Sequence, residues 1–295
     1  MKLYTLLYKG KEEIAVSFTD GNVAYLLKKL GFDFASMNDL ICNMTDEQWE
    51  KLRVLSMKDH LNAEVLLNEC KILAPIPMPR QDIICLGINY GDHAIEAGKF
   101  CNEAFSKDRE DTIYFSKRVN RAVATGEAIP RYEGLVDSLD YEVELGVIIG
   151  KDVKNVSPEE ALNYVLGYTI INDVSARNLQ TRHKQWYRGK SLDGFTPMGP
   201  CILTADSVTD PQNLEIKCSV NGEIRQCSNT KFMMQTVAGA ISELSQGMTL
   251  LAGTIIATGT PAGVGMGMEP PCFLQKGDVV TCEIKKIGIL KNTVE

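Results

Sequence analysis

The chain has 295 residues, 44% of them hydrophobic and 23% charged, which excludes a disordered or fibrous protein and leaves ample material for a buried core. A formal charge of -7 without any basic block removes the electrostatic footprint of a nucleic-acid binder, although a local cation or metal would still admit a small anionic substrate. Nine cysteines without a Cys-x-x-Cys pair read as reduced thiols rather than a disulfide framework, and no apolar run has the length of a signal core or membrane span, so a soluble, cytoplasmic protein without a membrane partner is expected.

Residues 1–74 read as a small N-terminal α+β domain. Two strand-like runs, Leu3 to Tyr8 and Glu13 to Phe18, flank a Lys-Gly-Lys turn, and helical patterns follow at Val23 to Leu30 and Thr45 to Val54. Thr45 and Gln48 form a capping box in sequence. The histidine of this part, His60, has no cluster of titratable groups at site-like spacing around it, and no chemistry is expected here. Three prolines within residues 74–80 then fix an extended connector. Residues 75–295 form the second, larger unit.

That unit opens with a strand, Asp82 to Gly87, followed by a short helix begun at Asp92. On it His93 and Glu96 lie three apart and can touch. A histidine oriented by a carboxylate is the usual make-up of a general base, and the plain alternative is a polar surface turn. Charged residues are dense from Lys99 to Asp111. Thr112 to Ser116 reads as a strand that delivers Lys117 and Arg118, two cations that either face solvent or clamp a carboxylate substrate.

Asp140 to Gly150 reads as a strand on which Glu142 and Glu144 share one face while Tyr141, Val143, Leu145, Val147 and Ile149 share the other. Neighbouring carboxylates repel, so either water screens them on a solvated face, the reading this strand alone favours, or something positive sits between them. Ser157-Pro158-Glu159-Glu160 starts a helix running to about Leu166. It hands over to a second strand, Gly167 to Ser175, which carries Asp173 where the apolar pattern stops. Three carboxylates from neighbouring strands with no nearby His or Cys would bind Mg²⁺, Mn²⁺ or Ca²⁺ rather than zinc.

Arg177, Gln180, Gln185, Trp186, Arg188, Lys190 and Asp193 crowd a segment poor in apolar periodicity, read as an ordered functional loop because Trp186 and Phe195 need burial. Beyond Pro200 the reading is mostly strand: Cys201 to Thr204, Leu214 to Val220, Ile224 to Gln226 around an Asn221-Gly222 hairpin turn, Ile255 to Thr258, and Asp278 to Ile284. One helix, about Met233 to Leu244, interrupts them. Thr258-Gly-Thr-Pro-Ala-Gly-Val-Gly lacks the Lys-Ser/Thr of a phosphate loop. Its plain reading is a tight turn, and its binding reading brings Thr260 and backbone N–H groups to a ligand.

Five motifs, Gly87-Ile-Asn-Tyr-Gly-Asp-His-Ala-Ile-Glu, Asp140-Tyr-Glu-Val-Glu-Leu, Gly167-Tyr-Thr-Ile-Ile-Asn-Asp-Val-Ser-Ala-Arg, Arg188-Gly-Lys-Ser-Leu-Asp-Gly-Phe-Thr-Pro-Met-Gly-Pro and the Thr258 segment, occur in the order of one family. From about residue 75 onward the chain resembles the fumarylacetoacetate hydrolase superfamily, in particular its acylpyruvase and 2-hydroxyhepta-2,4-diene-1,7-dioate isomerase-like members. The resemblance implies an α+β, mainly β fold, a mixed β-sandwich roll, usually dimeric. It implies a metal, usually Mg²⁺ or Mn²⁺, at Glu142, Glu144 and Asp173, a His93–Glu96 pair on a mobile lid, and Lys190 near the metal. Candidate substrate contacts are Lys117, Arg118, Arg177, Gln180 and Thr260. The chain departs from the family pattern at Asn178, where Asp is common, at Ala252-Gly253-Thr254, and at Ser116-Lys117-Arg118-Val-Asn120.

The expected reaction is hydrolysis of a C–C bond in an acylpyruvate-type 2-oxo acid: the metal stabilises enolate charge, His93 oriented by Glu96 activates water, and Lys190, with Lys117 as a further candidate, stabilises the anionic transition state. Decarboxylation of an oxaloacetate-like acid, or dienoate isomerisation or hydration, would use the same residues. A catalytically silent metal or small-molecule binder is the rival from another class.

Overall fold

The computed structural model describes residues 1–19, 21–57, 62–101 and 111–295, without the side chains of 99–101. His60 and most of the charge-dense Lys99 to Asp111 stretch fall outside the described residues. The fold is α+β and mainly β. Its first strands are β1 (Lys2–Tyr8), β2 (Lys11–Ser17), β3 (Val23–Leu26), β4 (Glu64–Leu66), β5 (Lys71–Ile72), β6 (Ile83–Gly87), β7 (Ile113–Lys117), β8 (Ala128–Ile129) and β9 (Leu139–Asp140). There follow β10 (Val143–Ile149), β11 (Val165–Asn172), β12 (Ser175–Ala176), β13 (Met198–Thr204), β14 (Glu215–Val220), β15 (Glu223–Asn229), β16 (Ile255–Ala257), β17 (Val279–Ile284) and β18 (Gly288–Val294). The helices are α1 (Met37–Asn43), α2 (Asp46–Leu55), α3 (Gly91–Cys101), α4 (Pro158–Ala161), α5 (Arg177–Arg182), α6 (Tyr187–Lys190) and α7 (Val237–Ser245).

The main sheet runs β4-β3-β2-β1-β13-β11-β10-β16-β6-β7, with β5 on β1, and a second sheet runs β15-β14-β17-β18-β8. The β10 side chains alternate between two cores. Tyr141 and Val143 through Ile149 at every second position pack with Ile216, Cys218, Val280 and Leu290 of the second sheet. Ile148 points the other way, into the core with Ile171, Leu3, Leu40 and Leu52, where α1 and α2 cover the main sheet. The result is a sandwich whose central strands, β10 and β11, are buried on both faces. β1 joins β13 through Lys2↔Leu203 and Leu3↔Ile202, so hydrogen bonding runs continuously from residues 1–74 into the rest of the chain.

Several elements differ from the sequence reading. Val23 to Leu30 is not a helix: Val23–Leu26 pairs with β2 and β4 and only Leu27–Leu30 turns, as a 3₁₀ helix. Leu26, Leu27 and Leu30 mimic helical spacing, but all of them serve sheet packing. The helix expected up to Leu166 is one turn, α4, and a 3₁₀ turn, and the chain enters β11 at Val165. α7 starts at Val237, after Thr236 accepts from the Gly239 amide, rather than at Met233. The 177–195 segment contains two short helices, α5 and α6, and β18 has no counterpart in the sequence reading. The capping box at α2 is present in full: Gln48 N donates to Thr45 Oγ1 at 3.2 Å and Thr45 N to Gln48 Oε1 at 2.9 Å. Asn221 and Gly222 both have positive φ, as the two-residue hairpin turn requires. No helix of the described residues is long and apolar enough to cross a membrane.

Candidate active site

β10 and β11 are antiparallel, with Val143 opposite Asn172 and Glu144 opposite Ile171. Glu142 precedes β10 and Asp173 follows β11, so the register sets them opposite each other, and the Asp173 amide donates to the Glu142 carbonyl at 2.8 Å. The single strand expected over 140–150 is thus broken at Tyr141 and Glu142. Carboxylate oxygens of Glu142, Glu144 and Asp173 nevertheless lie within 4.8 Å of one another, and all three residues are buried. Two residues along from Glu144, Gly146 lets Ile171 and Thr169 lie close: a Cβ there would sit 2.8 Å from Ile171 Cδ1.

Cations surround this floor. Lys190 Nζ lies 2.7 Å from Glu142 Oε2 and 2.8 Å from Asp173 Oδ2. Lys117 Nζ lies 2.7 Å from Asp173 Oδ1 and donates to the carbonyls of Val174 and Lys190. Arg177 pairs through Nε with Asp140 at 2.9 Å and through Nη1 with Glu142 at 2.6 Å, and Nη1 also donates to Gln180. Burial opposes the charge on Glu142, but Lys190 and Arg177 outweigh it and hold the carboxyl well below the usual range. Burial disfavours the Lys190 ammonium too, and Asp173 and Glu142 reverse the balance and hold it above the ordinary lysine value.

Glu144 is the exception. It accepts from the Gly259 amide at 2.8 Å. Burial, then Asp173 and Glu142, push its carboxyl well above the usual range. Among the described residues four buried carboxyls, counting Asp140, face three buried cations, Lys117, Arg177 and Lys190, so ionising all four would leave one surplus negative charge in a low-dielectric place, which is why Glu144 resists ionisation. An oxygen-ligated divalent cation between Glu142, Glu144 and Asp173 would remove that repulsion, and the donor set fits one. Two buried polar atoms beside it, the Tyr90 hydroxyl and Arg177 Nη2, have no hydrogen-bond partner among the described residues.

The floor opens into a cavity of ≈ 890 Å³ lined by His93, Glu142, Glu144, Arg177, Gln180, Lys190 and Thr260, with apolar walls from Ile88, Ala97, Phe115, Trp186 and Met266. Trp186 stacks edge-on against Phe115, with ring centroids 5.2 Å apart, and Lys190 Nζ sits 5.4 Å from the Phe115 centroid. Trp186 packs against Gly87, where a Cβ would stand 2.4 Å from its Cζ3 and 2.8 Å from its Cη2. His93 is buried on α3, its Nδ1 3.3 Å from Glu96 Oε2, and the Gly263 amide donates to both Glu96 oxygens at 2.9 and 3.1 Å.

The structure therefore gathers His93, Glu96, Lys190, Arg177, Gln180 and Thr260 around the three carboxylates. It places Lys117 beneath Asp173, fully buried and outside the cavity lining, and Arg118 on the surface. Lys117 goes inside because Asp173 and two carbonyls satisfy its ammonium, while Arg118, next along the strand, faces the other way. Sequence reasoning passed over Asp140, which holds Arg177, and Gln226, whose Oε1 accepts from Val143 N and whose amide donates to Thr260 Oγ1 at 2.7 Å. Gln226 carries no signal in sequence. Asp140 stands at the head of the Asp-Tyr-Glu-Val-Glu motif, where a third acid was visible.

Residues 82–295 match the family described as fumarylacetoacetate (FAA) hydrolase C-terminal. The chain belongs to this family. Among curated relatives it is 45% identical over 228 residues to the oxaloacetate tautomerase YisK of Bacillus subtilis, covering 77% of this chain and 74% of that one. It is 42% identical over 231 residues to the mitochondrial oxaloacetate tautomerase Fahd2a of Rattus norvegicus, covering 77% and 70%. The solved structure of a fumarylacetoacetate hydrolase from Exiguobacterium antarcticum superposes with a TM-score of 0.83 at 39% identity, covering 100% of this chain and 99% of that one. The family match begins close to β6 and includes every residue of the cavity lining named above.

Proposed function

We propose that this protein is a divalent-cation-dependent enzyme, loaded with Mg²⁺ or Mn²⁺, that interconverts the keto and enol forms of a 2-oxo dicarboxylic acid of the oxaloacetate type. The observation that carries this reading is a buried His93, oriented by Glu96, lining one cavity with Glu142 and Glu144 of a three-carboxylate floor. The names of two relatives at 45% and 42% identity support the substrate class. Glu142, Glu144 and Asp173 would hold the cation, which would supply Lewis-acid stabilisation of charge on the substrate's 2-oxygen. His93 takes the proton from C3; the C–H electron pair becomes the C2–C3 double bond, the C2=O π pair moves onto the oxygen, and the oxygen receives the proton back from the His93 imidazolium. Glu96 holds Nδ1, leaving Nε2 as the working nitrogen and stabilising the imidazolium. Lys190, kept ionised by Glu142 and Asp173, acts as a fixed positive charge rather than a proton donor. Arg177 Nη2, without a hydrogen-bond partner among the described residues, is suited to a substrate carboxylate.

The test is enol-to-ketone conversion of oxaloacetate, followed by absorbance in metal-stripped protein before and after Mg²⁺ or Mn²⁺ is restored. Pyruvate and CO₂ are quantified in parallel, with free metal as the control. Acceleration that needs both metal and His93, with the four-carbon acid intact, is the expected result. Metal-loaded protein that accelerates nothing beyond free metal overturns the reading. Hydrolysis of an acylpyruvate C–C bond is the second reading, favoured by the full-length likeness to the Exiguobacterium hydrolase. It predicts pyruvate plus a carboxylic acid from acetylpyruvate or fumarylpyruvate, whereas pyruvate plus CO₂ from oxaloacetate marks a decarboxylase.

A further inference from the structure

Asp140 is fully buried and accepts four hydrogen bonds: from the amides of Tyr141 at 2.9 Å, Gly265 at 2.7 Å and Met266 at 3.0 Å, and from Arg177 Nε at 2.9 Å. Two residues before Gly265, the Gly263 amide donates to both oxygens of Glu96. One short turn, residues 263–266, thus gives three amides to two carboxylates. One of those carboxylates orients His93, and the other fixes the arginine that holds Glu142.

The turn has little room to do otherwise. A Cβ on Gly265 would stand 2.7 Å from Asp140 Oδ1 and collide with the Cys272 carbonyl, and one on Gly267 would stand 2.7 Å from the Glu96 carboxyl carbon. Gly263 has a φ of 104°, and a Cβ there would run into the Arg225 carbonyl. Asp140 itself is fully buried and does not line the cavity that holds His93. Its four donors include nothing that an asparagine amide could replace, since an N–H₂ would face N–H groups.

We propose that Asp140 is a positioning residue which, through the 263–266 turn, locks the His93–Glu96 pair to Arg177 and the carboxylate floor, so that base and floor keep one fixed separation. The inference rests on the reading of His93 and Glu96 as the acid–base pair. Three proteins test it, Asp140→Asn, Gly265→Ala and the double variant, each compared with wild type, with turnover read at saturating Mn²⁺ and NMR spectra taken with diamagnetic Mg²⁺ in its place. Gly265→Ala pushes the turn off Asp140 without altering a carboxylate, so it stands in if Asp140→Asn does not fold. Expected are kcat losses of about 10- to 100-fold with smaller changes in KM, a rise in the Mn²⁺ dissociation constant smaller than the fall in kcat because the three carboxylate ligands themselves are kept, and displaced NMR signals of the His93 ring. The double variant should be no worse than the worse single one, because both break the same contact. Unmoved His93 signals, or losses that multiply in the double variant, overturn the proposal. The NMR and Mn²⁺ measurements need no substrate. A wild type inert on oxaloacetate therefore defeats the assigned reaction, while displaced His93 signals with Mn²⁺ binding retained still uphold the positioning role.

Discussion

Glu142, Glu144 and Asp173 stand at the ends of paired strands, whereas His93 and Glu96 stand on α3, a helix outside the sheets. The strand register fixes the carboxylates before any side chain is considered, and Lys117, Lys190 and Arg177 then clamp them from three sides. Among the described residues α3 is anchored by the Glu96–Gly263 contact and a small satellite core of Ile88, Ala94, Ala97, Val264 and Met266. Damage to the floor should therefore be all-or-none, and damage to the pair graded.

Glu144→Gln breaks the comparison hardest. It removes a proposed ligand whose ionised form the metal-free site disfavours, so the metal-free protein should be at least as heat-stable as wild type while Mn²⁺ binding disappears and turnover falls by about a thousandfold. Metal titration and thermal melts check this, and a destabilised variant that still binds metal would contradict it. His93→Gln should cost about 10²- to 10⁴-fold in turnover with Mn²⁺ affinity unchanged, which separates the two regions directly. Gly87→Ala, which forces Trp186 off β6, should raise KM by about tenfold with a smaller effect on kcat; steady-state kinetics decide.

A pH series sharpens the floor's side. Because the folded-state pKa of Glu144 is raised, the folded chain holds a proton there that the unfolded chain has released, and metal-free stability falls as pH rises above the ordinary carboxylate value. A cation needs the ionised carboxylate, so its gain in Tm should grow as pH is raised; a gain independent of pH would count against Glu144 as a ligand. The smallest effect is expected far from both regions. Thr45→Ala should cost about 1 kcal/mol of stability through the α2 cap, with kinetics unchanged.

The floor was legible because its information is local: Glu142 and Glu144 sit two apart, and Asp173 ends the neighbouring apolar run. Strand β10 was recognisable from Val143 to Ile149 for the same reason. What stayed hidden depends on chain segments far apart meeting. Lys117 and Arg118 look equivalent in sequence, and only the meeting with Asp173 sends one inside. Asp140 acquires its meaning from Gly265 and Met266, more than a hundred residues on. Val23 to Leu30 misled because three leucines at helical spacing are also what a strand followed by a tight turn presents to a core.

The pairing of β1 with β13 bears on how this protein can be cut. A fragment trimmed to the family boundary near residue 82 would lose β1 to β5 and leave one side of β13 with bare amides and carbonyls in the middle of a buried sheet. Such an edge is a template for recruiting any extended chain, another copy included. Expressed alone, residues 82–295 should gather into aggregates or swapped assemblies, and a fold boundary drawn by homology is here a poor guide to where a soluble fragment begins.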